Sequence, residues 1–188
     1  DVYGNHTSKT TPIFTNVKIA NNHGSGDGGG MVVYNVPMGL EVNVTLKNSL
    51  IINNSTTADG GGIFCGWLSP KVTLINTTIT DNFGYGAGGI YVQEGGSLDI
   101  KNSIIYGNTD TGAYDSNGLN SQVYVSPTSG SVNIEYSNIQ GGFDGNGNIN
   151  SDPLFTNPDN GDYTLQAGSP CIDASDPNSD LDPDGTVA

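Results

Sequence analysis

The chain has 188 residues, enough for one domain with a real core, and contains 28 glycines but only 13% charged residues. All of its five bases are lysine, set against 19 acids for a formal charge of −14, so a phosphate backbone or an anionic membrane would be repelled rather than gathered. No apolar run is long enough to span a bilayer, and the polar opening Asp1-Val2-Tyr3-Gly4-Asn5 carries no signal peptide, which reads as a mature or excised segment.

From residue 12 onward the chain repeats itself. Five segments align without gaps: Pro12-Ile13-Phe14-Thr15-Asn16 continuing to Ile19 and Asn22; Val44-Thr45-Leu46-Lys47-Asn48 to Ile51 and Asn54; Val72-Thr73-Leu74-Ile75-Asn76 to Ile79 and Asn82; Leu98-Asp99-Ile100-Lys101-Asn102 to Ile105 and Asn108; and Val132-Asn133-Ile134-Glu135-Tyr136 to Ile139 and Gly142. Their fifth positions lie 32, 28, 26 and 34 residues apart, the drift expected of loops inserted between stacked coils. Apolar residues alternate with period two, skip, and return at Ile, which describes a short strand, a bend and a second short strand. One coil cannot bury such a face alone. Stacked at about 4.8 Å, five coils can, with Phe14/Leu46/Leu74/Ile100/Ile134 and Ile19/Ile51/Ile79/Ile105/Ile139 as continuous columns.

A third strand per coil follows each glycine run, at Met31-Val32-Val33, Ile63-Phe64-Cys65, Ile90-Tyr91-Val92 and Val123-Tyr124-Val125. The predicted fold is therefore all-β: a right-handed parallel β-helix of about five coils with three short strands each. Its expected organisation is an N-terminal strand or linker over 1–11, coils over 12–150, and a C-terminal capping segment with an acidic tail over 151–188.

Most conspicuous residues have structural work in this scheme. The columns Asn16/Asn48/Asn76/Asn102 and Asn22/Asn54/Asn82/Asn108 fall at bends, where an amide can bond along the stack and Asn tolerates left-handed backbone. Asn-x-Ser/Thr sequons at Asn5, Asn43, Asn53, Asn54 and Asn76 arise readily by chance in such a composition, and Asn76 is expected to be too buried for a glycan. Gly28-Gly29-Gly30, Gly60-Gly61-Gly62 and Gly88-Gly89 read as tight bends rather than phosphate cradles, since no Lys-Ser/Thr follows. Asp27 and Asp59 precede two of these runs and would be neighbours, as turn residues or a weak calcium site. Cys65 falls in the inward column with Val33, Val92 and Val125, as a buried free thiol; a disulfide with Cys171 stays open.

Three features remain for function. Phe64, Tyr91 and Tyr124 should form an outward aromatic ladder, either simple cross-strand stacking or a surface for polysaccharide or another subunit. The tail Asp180-Leu181-Asp182-Pro183-Asp184-Gly185 matches the first half of a calcium loop, with Asp180, Asp182 and Asp184 as ligands, although the Glu expected six residues after the Gly lies beyond Ala188; the alternative is an unstructured acidic tail. No catalytic set assembles: there is no Arg, Lys18, Lys47 and Lys101 lack an evident carboxylate cluster, and of the two histidines, His6 and His23, the latter is read as a solvated loop residue near Asp27.

Beyond Gly142 the order Asp152-Pro153-Leu154-Phe155, Gly161-Asp162-Tyr163-Thr164-Leu165, then Gly168-Ser169-Pro170-Cys171-Ile172-Asp173-Ala174 resembles the C-terminal segment of bacterial right-handed β-helix repeat proteins of the pectate-lyase-like superfamily. The resemblance implies an extracellular or cell-surface protein related in fold to polysaccharide lyases and adhesins. Relatives continue the Asp-rich motif with a short strand, and Asp1-Val2-Tyr3-Gly4-Asn5 resembles that missing piece, so one copy could complete another head-to-tail. The expected function is an extracellular structural or adhesive module, calcium-binding and self-assembling, with a carbohydrate-binding module or polysaccharide lyase relative as the alternative.

Overall fold

The structure is a computed structural model and describes residues 9–35, 41–111 and 121–179. Its architecture is a parallel β-solenoid of about four turns and the beginning of a fifth, one fewer complete turn than the repeat suggested, because the last repeat contributes only Val132–Glu135 and Asn138–Ile139.

Four parallel sheets run the length of the stack. Sheet 1 contains Lys9–Thr10 and Ile13–Thr15, then Glu41–Lys47, Lys71–Ile75, Ser97–Lys101 and Val132–Glu135. Sheet 2 contains Lys18–Ala20, Leu50–Ile52, Thr78–Thr80, Ile104–Tyr106 and Asn138–Ile139. Sheet 4 contains Met31–Val33, Ile63–Cys65, Ile90–Val92 and Val123–Val125. Between the last two lies sheet 3, a ladder of two-residue strands at His23–Gly24, Ser55–Thr56, Phe83–Gly84 and Thr109–Asp110, so each complete coil has four strands instead of three. Two residues are too few to show a period, which is why this side was invisible in the pattern.

The registers place the expected columns side by side: Phe14 on Leu46, Leu46 on Leu74, Leu74 on Ile100, Ile100 on Ile134, and the five isoleucines of sheet 2 likewise. Apart from Phe14, which is exposed, they form one core together with Cys65, Val33, Val92 and Val123. Cys65 is fully buried and free, and burial pushes its thiol up to about 11, making it an inert small hydrophobe. Cys171 is free as well, with its sulfur near the Asn138 amide.

The two asparagine columns do different jobs. Asn16, Asn48, Asn76 and Asn102 have φ of 57°, 49°, 50° and 52°, the left-handed bend that turns sheet 1 into sheet 2; Tyr136 continues it at 48°. Asn76 is half-buried and donates to Asn48. Asn54, Asn82 and Asn108 are instead buried and form a directional amide ladder. Asn22 Nδ2 donates to Asn54 Oδ1, Asn54 Nδ2 to Asn82 Oδ1 and Asn82 Nδ2 to Asn108 Oδ1, at 2.8, 3.0 and 2.9 Å. Each receiving oxygen also accepts the backbone N–H of the preceding Asn. The ladder ends on Gln122, whose Oε1 accepts both the Asn108 N–H and Nδ2.

A second ladder, of hydroxyls, runs beside it. The backbone N–H groups of Val17, Thr77 and Ser103 donate to the Oγ atoms of Ser49, Ser103 and Ser137 respectively, while Ser49, Thr77, Ser103 and Ser137 each donate their hydroxyl to the carbonyl two residues earlier. The glycine runs serve close approach as much as turning. Gly60 does need its φ of +74°, but a Cβ on Gly62 would lie 2.7 Å from the Gly89 carbonyl oxygen of the next coil.

The far end of the core is covered by 143–150. Phe143 packs on the core, Asn148 donates to the Ile134 and Phe143 carbonyls, and Ile149 pairs with Asn138. Beyond it the chain turns back along the flank beside sheet 2. There Phe155–Asn157 and Asp162–Leu165 form an antiparallel hairpin, Tyr163 bonds Asp81, and the Asp176 N–H bonds Asn102 Oδ1.

Candidate functional sites

The outward aromatic ladder is present in sequence order but is not a surface. Phe64 is 0% exposed, Tyr91 is buried and Tyr124 is half-buried, so these rings form a small second core with Ala87. Phe64 and Tyr91 stack at 5.8 Å between centroids and Tyr91 and Tyr124 at 4.7 Å. Alternation along the strand sent each middle residue to the outer side of sheet 4, as expected. It could not reveal that chain on that side covers them.

What reaches solvent is the edge of this stack. Trp67 packs edge-on against Phe64 at 5.5 Å and against Tyr34 at 5.9 Å, yet remains 47% exposed, with Tyr34 43% and Leu68 56% exposed. Trp67, Leu68 and Ser69 hold φ of 61°, 59° and 64°, three consecutive left-handed non-glycine residues at a cost of roughly 1–2 kcal/mol each. The turn is anchored on both neighbouring coils. Trp67 N–H donates to the Glu94 carbonyl, Asn35 N–H donates to the Trp67 carbonyl, and Asn35 Nδ2 donates to that of Leu68. Asn35 Oδ1 and Gln93 Oε1, which border this corner, are both buried without a hydrogen-bond partner among the described residues, a state that costs about 1–3 kcal/mol per group.

Asp27 and Asp59 do come together, with the Asp59 N–H donating to Asp27 Oδ1 at 3.3 Å. Burial, then the adjacent Asp27 carboxylate, push the Asp59 carboxyl up, while donation from the Tyr91 hydroxyl and the Gly86 amide pulls it down. Only two carboxylates meet here. Among the described residues, no group of three or more metal-ligating side chains forms. Asp180, Asp182 and Asp184 lie outside the described residues, as do residues 1–8 with His6.

A cleft of about 350 Å³ lies between sheet 2 and the hairpin, lined by Thr80, Asp81, Tyr106, Asp152, Leu154 and Phe155. Asp81 accepts from the Tyr163 hydroxyl at 2.7 Å; partial burial, then this bond, push the phenol up to about 12. Asp152 is turned to its own backbone, accepting the Leu154 N–H. Both acids are thus held in fixed local geometry. Lys101, one candidate base for lyase chemistry, is ion-paired with Asp176, whose hydrogen bond raises the ammonium's pKa and keeps its proton on. His23 shares a hydrogen bond with Ser55 across sheet 3.

No family model, no curated protein and no solved structure matches this chain. The class defined by its fold is the all-β parallel β-solenoid.

Proposed function

We propose that this chain is an extracellular structural or adhesive module of the pectate-lyase-like, right-handed β-helix type, which joins neighbouring modules or copies of itself and binds calcium through Asp180, Asp182 and Asp184. The observation that carries this reading is the contrast between the two ends of the stack. The first coil leaves Ile13 64% and Phe14 39% exposed, and among the described residues nothing donates to its Asn22 Oδ1, whereas the far end is covered by 143–150. An open row of strand edges and apolar columns is a pairing surface. Because the far end is covered, a head-to-tail contact would be made through the chain beyond Ser179 and not by stacking core on core.

The amide and hydroxyl ladders support the reading from another side, since they engage the polar residues that face inward and commit them to rigidity. A calcium-clamped rod suits adhesion and spacing. Sedimentation velocity and electron microscopy of the purified protein, with calcium and with chelator, test this directly. Concentration-dependent oligomers that dissolve in chelator and in an Ile13→Glu variant are expected. Monodisperse single copies at high concentration with calcium, together with no shift in melting at millimolar calcium, would sink the reading.

A further inference from the structure

We infer that the cleft between sheet 2 and the C-terminal hairpin is a binding site for a primary ammonium group carried on a short apolar stem. The floor of this cleft departs from the repeat. In the four complete coils the bend after sheet 2 is left-handed, and it is held by Asn21, Asn53, Asp81 and Gly107 at φ of 59°, 52°, 55° and 71°. Asparagine suffices for this turn in the first two coils. The next two bring in a carboxylate and then remove the side chain altogether, and it is these two positions that line the cleft. The result is a notch over Gly107. A Cβ there would meet Thr80 Oγ1 at 3.2 Å and Asp81 Oδ1 at 3.4 Å, so both oxygens border the space that the missing side chain leaves.

Both oxygens can take a donor. Asp81 is exposed, and its Oδ2 accepts the Tyr163 hydroxyl at 2.7 Å, which fixes the carboxylate with Oδ1 toward Gly107. Thr80 is 2% exposed and stands in an outward column where the preceding coils carry Ala20 and Ile52. Its hydroxyl has no hydrogen-bond partner among the described residues, and unlike the oxygens of Asn35 and Gln93 it is not sealed from the cleft that it lines. An unanswered hydroxyl where the repeat accepts Ile disfavours the empty fold and serves a ligand. The walls are Tyr106, Leu154 and Phe155, the last braced edge-on against Tyr163 at 5.3 Å. Asp152 adds a second carboxylate, and among the described residues no lysine lines the cleft. Its volume of about 350 Å³ suits a small molecule or one side chain. An ammonium group brings three donors and a positive charge to these acceptors, and its stem suits the rings. A quaternary cation would leave the oxygens without donors, and the two acids repel an anion.

The site goes beyond the assembly reading and stands or falls separately from it, since it is tested on the full chain kept in chelator. The test is a titration followed by amide proton–nitrogen correlation spectra, with phenethylamine and Nα-acetyl-lysine amide as probes. The neutral and anionic comparisons are 2-phenylethanol and phenylacetate. The Gly107 and Leu154 amide signals should move saturably with at least one amine and with neither comparison. Tighter binding of phenethylamine supports a free amine as the ligand, and tighter binding of the lysine derivative supports a lysyl side chain. Asp81→Asn restores the residue that this bend uses in the first two coils, so the fold is kept, and it should weaken binding about tenfold or more, the scale of a charged hydrogen bond. Thr80→Val, which keeps the shape and removes the hydroxyl, should weaken binding about threefold to tenfold. It should also leave the unfolding midpoint equal or higher, which a hydroxyl serving the fold would not allow. No saturable movement with either amine, an equal response to 2-phenylethanol, or unchanged affinity in Asp81→Asn would each overturn the proposal.

Discussion

At the first coil Phe14 keeps 39% of its surface in water; four coils later, in the same column, Ile134 keeps 1%. The amide ladder differs in the same sense. It starts at an exposed Asn22 whose side-chain oxygen accepts from none of the described residues, and it stops at Gln122, which satisfies the last donors. One repeat thus produces two unlike ends, because the ladder is polar: each Asn donates toward the next coil and accepts from the previous one. A closing residue for the far end must supply an acceptor, as Gln122 does, whereas closing the near end requires donors. Position along the stack, more than residue type, then sets what an Asn or a core residue contributes.

Substitution at matched positions breaks or sharpens this comparison. Asn82→Ala should have the largest effect, on the order of 3 kcal/mol or more in urea denaturation, because it strands the Asn54 N–H, the Asn54 Nδ2 hydrogen not taken by the Ile19 carbonyl, and the carbonyl of Ile51 inside the core. Asn22→Ala, the same change at the open end, should cost only about 0.5 kcal/mol, since Asn54 Oδ1 keeps the Asn22 backbone N–H. Equal losses at the two sites would refute the polarity argument. Next, Ile134→Ala should cost about 3 kcal/mol, and Phe14→Ala clearly less despite the larger side chain, as measured by the same midpoints. Ser103→Ala, which removes one rung of the hydroxyl ladder, should cost about 1 kcal/mol.

The smallest effect is electrostatic. A carboxyl whose folded pKa is raised contributes stability that is fully present below its unfolded pKa and is lost as pH rises through the folded value, so Asp59 weakens the fold at neutral pH. Asp27→Asn removes the second-largest cause of that shift. The melting temperature of the variant should therefore exceed that of the parent at pH 7, by the equivalent of about 0.2–1 kcal/mol, and the difference should close toward pH 3. A variant less stable than the parent at pH 7 would show that Asp27 has a structural role outweighing its charge.

The strand-bend-strand repeat made sheets 1, 2 and 4, their register columns and the inward place of Cys65 legible, because buried parallel strands impose matching residues on every coil. Sheet 3 left no trace, since a two-residue strand has no alternation to read. The hydroxyl ladder was written in the sequence as Asn48-Ser49, Asn76-Thr77, Asn102-Ser103 and Tyr136-Ser137, but polar residues after a turn look like ordinary loop chemistry until the coils are stacked. The aromatic residues show the limit most clearly. Period two told which side of the sheet Phe64, Tyr91 and Tyr124 face; only the fold shows that this side is covered and that Tyr34 and Trp67 hold the exposed positions. Trp67 carries no local signal beyond being a lone tryptophan, because a left-handed run of Trp-Leu-Ser contradicts what those residues prefer.

The polarity of the amide ladder also bears on how such a molecule can change length. Every complete coil shows the same acceptor to the coil before it and the same donors to the coil after it, so the heritable unit is one circuit of the chain, cut anywhere. Excising 54–81 would join Asn53 to Asn82, remove one 28-residue circuit and leave Asn22 facing Asn82 as it now faces Asn54. Partial deletions are absorbed where they fall in the loops, as the unequal circuits of 32, 28, 26 and 34 residues show, whereas a partial deletion within the strands would misalign the rungs. Shortening or lengthening in whole circuits is thus the route by which a rod of this kind can be tuned in reach without redesigning either of its ends.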